Sequence, residues 1–214
     1  MSDVVVAAVD VGSLANIGWW RAAGETAGGG RDLDELADVL AAGLNHNRSV
    51  ALGFEAPIFV PLPADAAGLC RQRVGDRGRP WSAGAGTGAL ALGVQQAAYV
   101  FASLARRVAK RPRVSFDPLH LNGPETTLVV WEAFVSGNAK NRAAVDPHMD
   151  DARVAVNEFN KRLAQGAVHS DIDEPRVLNL AAGALLASGL TNDTDLLTQA
   201  SVVVRAPDYI APSA

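Results

Sequence analysis

The sequence predicts an α/β domain, a mixed sheet with helices on both of its faces. Three observations predict it. Short β-branched runs alternate with longer stretches of helical periodicity, no internal repeat or domain-scale linker breaks the series, and several apolar runs stop at an acidic residue. At 214 residues the chain is long enough for one full core. A single domain is expected over 1–205, with a flexible tail over 206–214.

Residues 4–10 and 17–22 are both β-branched or aromatic runs, and Gly12, Ser13 and Asn16 mark the gap between them as a turn, so the pair reads as a β-hairpin. Trp19 and Trp20 are adjacent on a strand and face opposite ways, which puts at least one in the core. The stretch 24–30, GETAGGG, reads as a flexible connection. From 32 to 44, Leu33, Leu36, Ala37, Leu40 and Leu44 draw a helical stripe. Residues 50–54 form a short apolar strand, stopped by Glu55 and Pro57. The segment 58–87 is rich in Gly, Pro and Arg and reads as one long loop, a length that in a compact domain is usually functional or mobile. A long helix over 89–107 ends in a basic turn, as the helix dipole favours. Strands are expected over 113–116 and 127–134, helices over 150–163 and 177–188, a short helix over 193–199 and a last strand over 202–205.

Composition narrows the function classes. Apolar residues make up 49% and charged residues 20%, the balance of a globular domain rather than a disordered one. A net charge of -4 weighs against coating duplex nucleic acid by bulk charge, because that binding neutralises phosphates. It leaves room for an enzyme that approaches phosphates through metal ions. The single cysteine, Cys70, excludes an internal disulfide and fits a reducing compartment. No apolar run approaches ~20 residues and no basic region precedes the first one, so neither a membrane span nor a signal peptide is expected, and the cytoplasm is the expected location.

The acidic residues carry the functional reading. Asp10, Glu55, Glu132 and the pair Asp150–Asp151 end strands or begin a helix. An ionised carboxylate buried without a partner is costly, so an aspartate closing the run VVVAAVD calls for a reason. Asp10 and Glu55 would meet at neighbouring strand ends, where open α/β sheets place their ligands. Converging carboxylates repel unless a cation neutralises them, and hard oxygen ligands select Mg²⁺ or Mn²⁺. In the helix over 150–163 the apolar stripe is Ala152, Ala155, Val156, Phe159 and Leu163. Four residues before Ala155 and Ala152 stand Asp151 and His148, which therefore point inward, while Asp150 sits roughly 100° around the axis. Asp151 is thus the better ligand of the pair, and His148 a candidate general acid or base, or a ligand-orienting group. Each residue also has a structural reading. Asp10 would bond turn amides, Glu55 would be a solvated strand end, Asp150 and Asp151 first-turn helix acids, and Glu132 and His148 satisfied polar groups.

The motifs AAVDVGSLANIGWW, ALGFEAP, VVWEAF and HMDDARVAV, in that order, resemble the ribonuclease-H-like fold, and more closely a group of prokaryotic predicted nucleases of that fold. The resemblance spans most of the chain. It implies a sheet opening with three antiparallel strands, the third drawn from the Gly-rich stretch after Trp20. It also implies metal-dependent cleavage of phosphodiester bonds by two divalent ions, Mg²⁺ or Mn²⁺, held by Asp10, Glu55 and Asp151, to activate a water and stabilise the leaving oxygen. Glu132 matches a strand glutamate of the predicted-nuclease group. Nucleic acid or a nucleotide is the implied substrate, and a second copy of the chain, as a homodimer, is kept as a partner. The motif DVGS before a hairpin also resembles the first phosphate-binding turn of actin-like nucleotide-binding proteins, in which Gly12 and Ser13 would cradle phosphates. A non-catalytic binding module on the same fold is the third reading, one that loss of metal affinity would favour.

Other candidates are weaker. Arg71, Arg73, Arg77 and Arg79, followed by Trp81, would grip a phosphate and stack on a base, or else keep a mobile loop solvated. The run GAGTGA over 84–89 opens a helix but has neither the lysine of a P-loop nor a dinucleotide fingerprint. The histidines at 46, 120, 148 and 169 show no metal-ligand spacing, which argues against a zinc site. No Gly-x-Ser-x-Gly elbow is present.

Overall fold

The computed structural model describes residues 4–76, 80–135, 139–141 and 143–208. The chain runs β1 (Val5–Asp10), β2 (Gly18–Ala23), β3 (Thr26–Gly30), α1 (Leu33–Asn45), β4 (Val50–Phe54), β5 (Phe59–Pro61), α2 (Ala85–Arg107), β6 (Arg113–Ser115), β7 (Thr127–Phe134), α3 (Pro147–Ala164), β8 (Val177–Asn179), α4 (Leu180–Ser188) and β9 (Val203–Arg205). The architecture is α/β. Strands β1, β2 and β3 form an antiparallel meander, and β4 and then β7 extend it in parallel from β1. Strands β6 and β9 pair in parallel with the two ends of β7, giving a seven-stranded mixed sheet.

The two-residue period of the strands sorts the core into two layers. Val5, Ala7 and Val9 of β1, with Val50, Leu52 and Phe54 of β4, pack with Leu36 and Leu40 of α1, Phe101 and Leu104 of α2, and Leu185 of α4. Val6, Ala8, Ala51 and Trp131 point the other way, onto Ala152, Val156 and Phe159 of α3. At ~25 cal/mol per Å² of apolar area removed from water, these two layers are the main stabilising contribution.

The structure departs from the sequence reading in several elements. Residues 26–30 are a strand, not a slack connection. A Cβ on Gly29 would fall 2.4 Å from the Trp19 carbonyl oxygen and 2.5 Å from the Trp20 ring, so this glycine makes room for the two tryptophans rather than flexibility. Trp19 is buried and its indole N–H donates to the Asp32 carbonyl, while Trp20 is half-buried on the α3 side. The expected long loop contributes β5, which pairs antiparallel with β8. That pairing takes residues 177–179 out of the expected helix, and α4 then starts under an Asn179 cap. Helix α3 begins at Pro147, with Asp146 accepting from the Met149 N–H, an N-cap followed by proline at the first helical position. Helix α2 begins at Ala85 and runs 23 residues. By length and composition alone it is the one helix among the described residues that reaches what a membrane span needs, contrary to the sequence expectation. Its Ala97, Val100, Phe101 and Leu104 are buried in the protein core. Ala206, at the start of the expected tail, is buried and donates its N–H to the Phe134 carbonyl, whereas residues 209–214 lie outside the described residues.

Candidate metal centre

Strand register brings the first two carboxylates together. Val9 of β1 is aligned with Phe54 of β4 and accepts the Glu55 N–H at 2.8 Å, so Asp10 and Glu55 follow as neighbours where the two parallel strands end. By the two-residue period both project to the α3 side of the sheet. Asp151, in the first turns of α3, arrives from above. Oxygens of Asp10, Glu55 and Asp151 all lie within 4.8 Å of one another. Gly18 makes this approach possible. It pairs with Asp10 across the meander, and a Cβ there would lie 2.5 Å from the Met149 nitrogen, so any side chain would lift the start of α3 off the sheet.

Lys140 and His148 complete the centre. The Lys140 Nζ donates to Glu55 Oε1 at 3.0 Å and to Asp151 Oδ2 at 2.5 Å. The His148 Nδ1 lies 2.5 Å from Asp10 Oδ2. Glu55 Oε2 is buried and has no hydrogen-bond partner among the described residues. Burial, and next the negative charge of Asp10, push the Glu55 carboxyl well above its usual range, against the pull of Lys140. Burial also raises the Asp151 carboxyl, with Lys140 opposing it. Burial pulls the Lys140 ammonium down, but Glu55, Asp151 and Asp10 outweigh it and raise it above its ordinary value.

This donor set suits a hard divalent cation. Three carboxylates from three elements supply oxygen ligands only, and one buried oxygen is left without a partner, a group that a cation would satisfy. A cation would also relieve the repulsion that raises Glu55.

The other sequence candidates lie elsewhere. Glu132 is aligned with Phe54 rather than Glu55, so it projects to the opposite side of the sheet. There it is fully buried, and both its oxygens accept from the Arg73 guanidinium at 2.7 Å. Arg73 also holds Asp76, and its side chain has no exposed surface, so its reading as a substrate-gripping residue gives way to a structural one. Glu132 likewise is no part of the three-carboxylate centre. Asp150 is held by Arg153, one helical turn on, and does not join the three. Arg71 forms a two-pronged pair with Glu174, and the Trp81 indole N–H donates to the Arg71 carbonyl, which ties this part of the 58–87 segment to itself and to the domain. Ser13 is exposed in the turn after β1, where its carbonyl accepts the Asn16 N–H. Arg77 and Arg79 lie outside the described residues.

The residue that sequence reasoning missed is Lys140. It sits between β7 and α3 in no periodic element, so neither hydrophobic period nor strand register points to it. Charge alone was a partial signal, since three converging carboxylates call for a cation, but the sequence does not say which of Lys110, Lys140 and Lys161 supplies it. Comparisons with protein families, with curated proteins and with solved structures return no match to the chain.

Proposed function

We propose that this protein is a divalent-metal-dependent phosphodiester hydrolase, acting on nucleic acid from a ribonuclease-H-like sheet. The observation that carries the reading is the convergence of Asp10, Glu55 and Asp151 from two strand ends and one helix, with a buried Glu55 oxygen left unpartnered. The sheet order supports the fold assignment: an antiparallel three-strand meander extended in parallel from β1 by β4 and β7, with acids at the ends of β1 and β4.

Asp10, Glu55 and Asp151 would hold Mg²⁺ or Mn²⁺, which when bound supplies Lewis-acid charge against the phosphodiester. The chain's own groups have separate tasks. The His148 Nδ1, against Asp10 Oδ2, fixes the orientation of that carboxylate, and the partly exposed imidazole stands at the rim of the site. Lys140 neutralises part of the negative charge and lies where an anionic phosphate would approach. Helix α3, seated on Gly18, keeps Asp151 at a set distance from the sheet.

The test is cleavage of end-labelled single-stranded DNA and RNA in Mn²⁺ by wild type and Asp151→Asn. The reading expects ion-dependent cleavage by wild type and its loss in the variant. Wild type that leaves both substrates intact, or a variant that cleaves equally well, contradicts it.

A further inference from the structure

A cleft of about 410 Å³, within the size range of small-ligand sites, shares Glu55 and Lys140 with the carboxylate centre. Its far wall is made by Ala83, Ala85, Gly86 and Ala89 at the start of α2, and Ala133 and Phe134 at the end of β7 belong to its lining. Glu132 also lines it, but with both carboxylate oxygens held by Arg73. Among the lining side chains the unneutralised charge lies at the end next to the carboxylates, and the others are alanines, prolines, Val135 and Phe134. Arg205 packs over the Phe134 ring at 4.2 Å and fixes it as part of the wall. The first turn of α2 carries no acidic residue and no side-chain cap, so nothing there repels an anion.

We propose that this cleft seats one unpaired nucleobase, the base belonging to the phosphate at the carboxylate centre, and that the substrate is therefore single-stranded nucleic acid. The proposal rests on the reading of the centre as a phosphodiester hydrolase. A largely apolar wall with charge at one end matches a nucleotide, whose base packs on it without regard to base identity and whose phosphate faces the cation. A base still paired in a duplex would bring a second backbone. Among the described lining residues Lys140 is the only cation, so those residues offer no second charge to receive that second row of phosphates.

The test is fluorescence anisotropy in Ca²⁺ with a labelled oligonucleotide of about ten residues, single-stranded and as its duplex. Wild type is compared with Ala89→Leu and Ala85→Leu, two helix-compatible changes that fill the cleft. Mn²⁺ calorimetry on each protein reports separately on the metal centre. The proposal expects tighter binding of the single strand than of the duplex. It also expects a loss of about ten- to a hundredfold for the single strand in at least one filled variant, the size of one lost base stack, with Mn²⁺ binding unchanged. Equal or tighter duplex binding overturns it, as does unchanged single-strand binding in both variants while Mn²⁺ still binds. Absence of Mn²⁺ binding in wild type overturns the metal reading and this proposal with it.

Discussion

The carboxylate centre and the cluster of Arg73, Glu132 and Asp76 use the same kinds of residue on opposite faces of one sheet, and they differ in how far their polar atoms are satisfied. In the arginine cluster Glu132 accepts from Arg73 on both oxygens and from the Ile58 N–H, while Asp76 accepts from the Arg73 backbone and side chain. That cluster is closed, and its work is to clamp the 58–87 segment onto β7. In the carboxylate centre Glu55 Oε2 has no partner among the described residues, and the carboxyls of Glu55 and Asp151 are raised, chiefly by burial. The comparison teaches that burial of charge does not by itself mark function. What sets the carboxylate centre apart is three converging carboxylates with one buried oxygen left without a partner.

Breaking the closed cluster should have the largest effect. Arg73→Met leaves Glu132 and Asp76 buried without their cation, and a loss of about 3–5 kcal/mol in urea unfolding is expected. Mn²⁺ affinity of the folded protein should stay near wild type. A stability change under ~1 kcal/mol would show that the clamp is not structural.

Lys140→Met sharpens the same contrast in the open cluster. It removes a cation that competes for Glu55 and Asp151, a contact worth between ~1 kcal/mol at full exposure and ~4 kcal/mol at a protein surface. Mn²⁺ binding by calorimetry should therefore tighten at least about fivefold. Weaker binding would mean that Lys140 supports the ion instead of displacing it.

A smaller effect is expected from pH. The Glu55 carboxyl is raised in the folded protein, so between its ordinary value near ~4.3 and its raised value the folded state binds more protons than the unfolded state. Stability of the ion-free protein tied to this group is present below the ordinary value and is lost as pH rises through the raised one. Asp151 shifts in the same direction, and Asp34 and Asp146 in the opposite one, so the measurement is the difference between wild type and Glu55→Gln in urea midpoint. The wild-type midpoint should fall with rising pH relative to the variant, and saturating Mn²⁺ should reverse that fall. Parallel curves in the two proteins would contradict the raised carboxyl.

The meeting of Asp10, Glu55 and Asp151 was legible because each sits at the end of a strand or on the stripe of a helix, where a fixed period sets direction. Glu132 stands two residues before the end of β7, and its side of the sheet depends on its register with β4, which no local pattern encodes. Arg73 lies in a Gly- and Pro-rich segment whose composition suggests exposure, and only a long-range contact with β7 buries it. Strand β3 followed from the fold resemblance and not from its own composition, since its glycines signal slackness locally and serve tryptophan packing in the fold. The start of α3 was legible and overlooked, because Asp146–Pro147 is a strong cap signal.

The most direct test of the central claim is Mn²⁺ and Mg²⁺ calorimetry on wild type and Asp10→Asn, a change that keeps the shape and removes the charge. The account predicts saturable binding to wild type that collapses in the variant, with little change in unfolding stability. Equal heats in the two proteins, or none in either, would contradict it and leave Asp10 a buried strand-end residue bonded to His148.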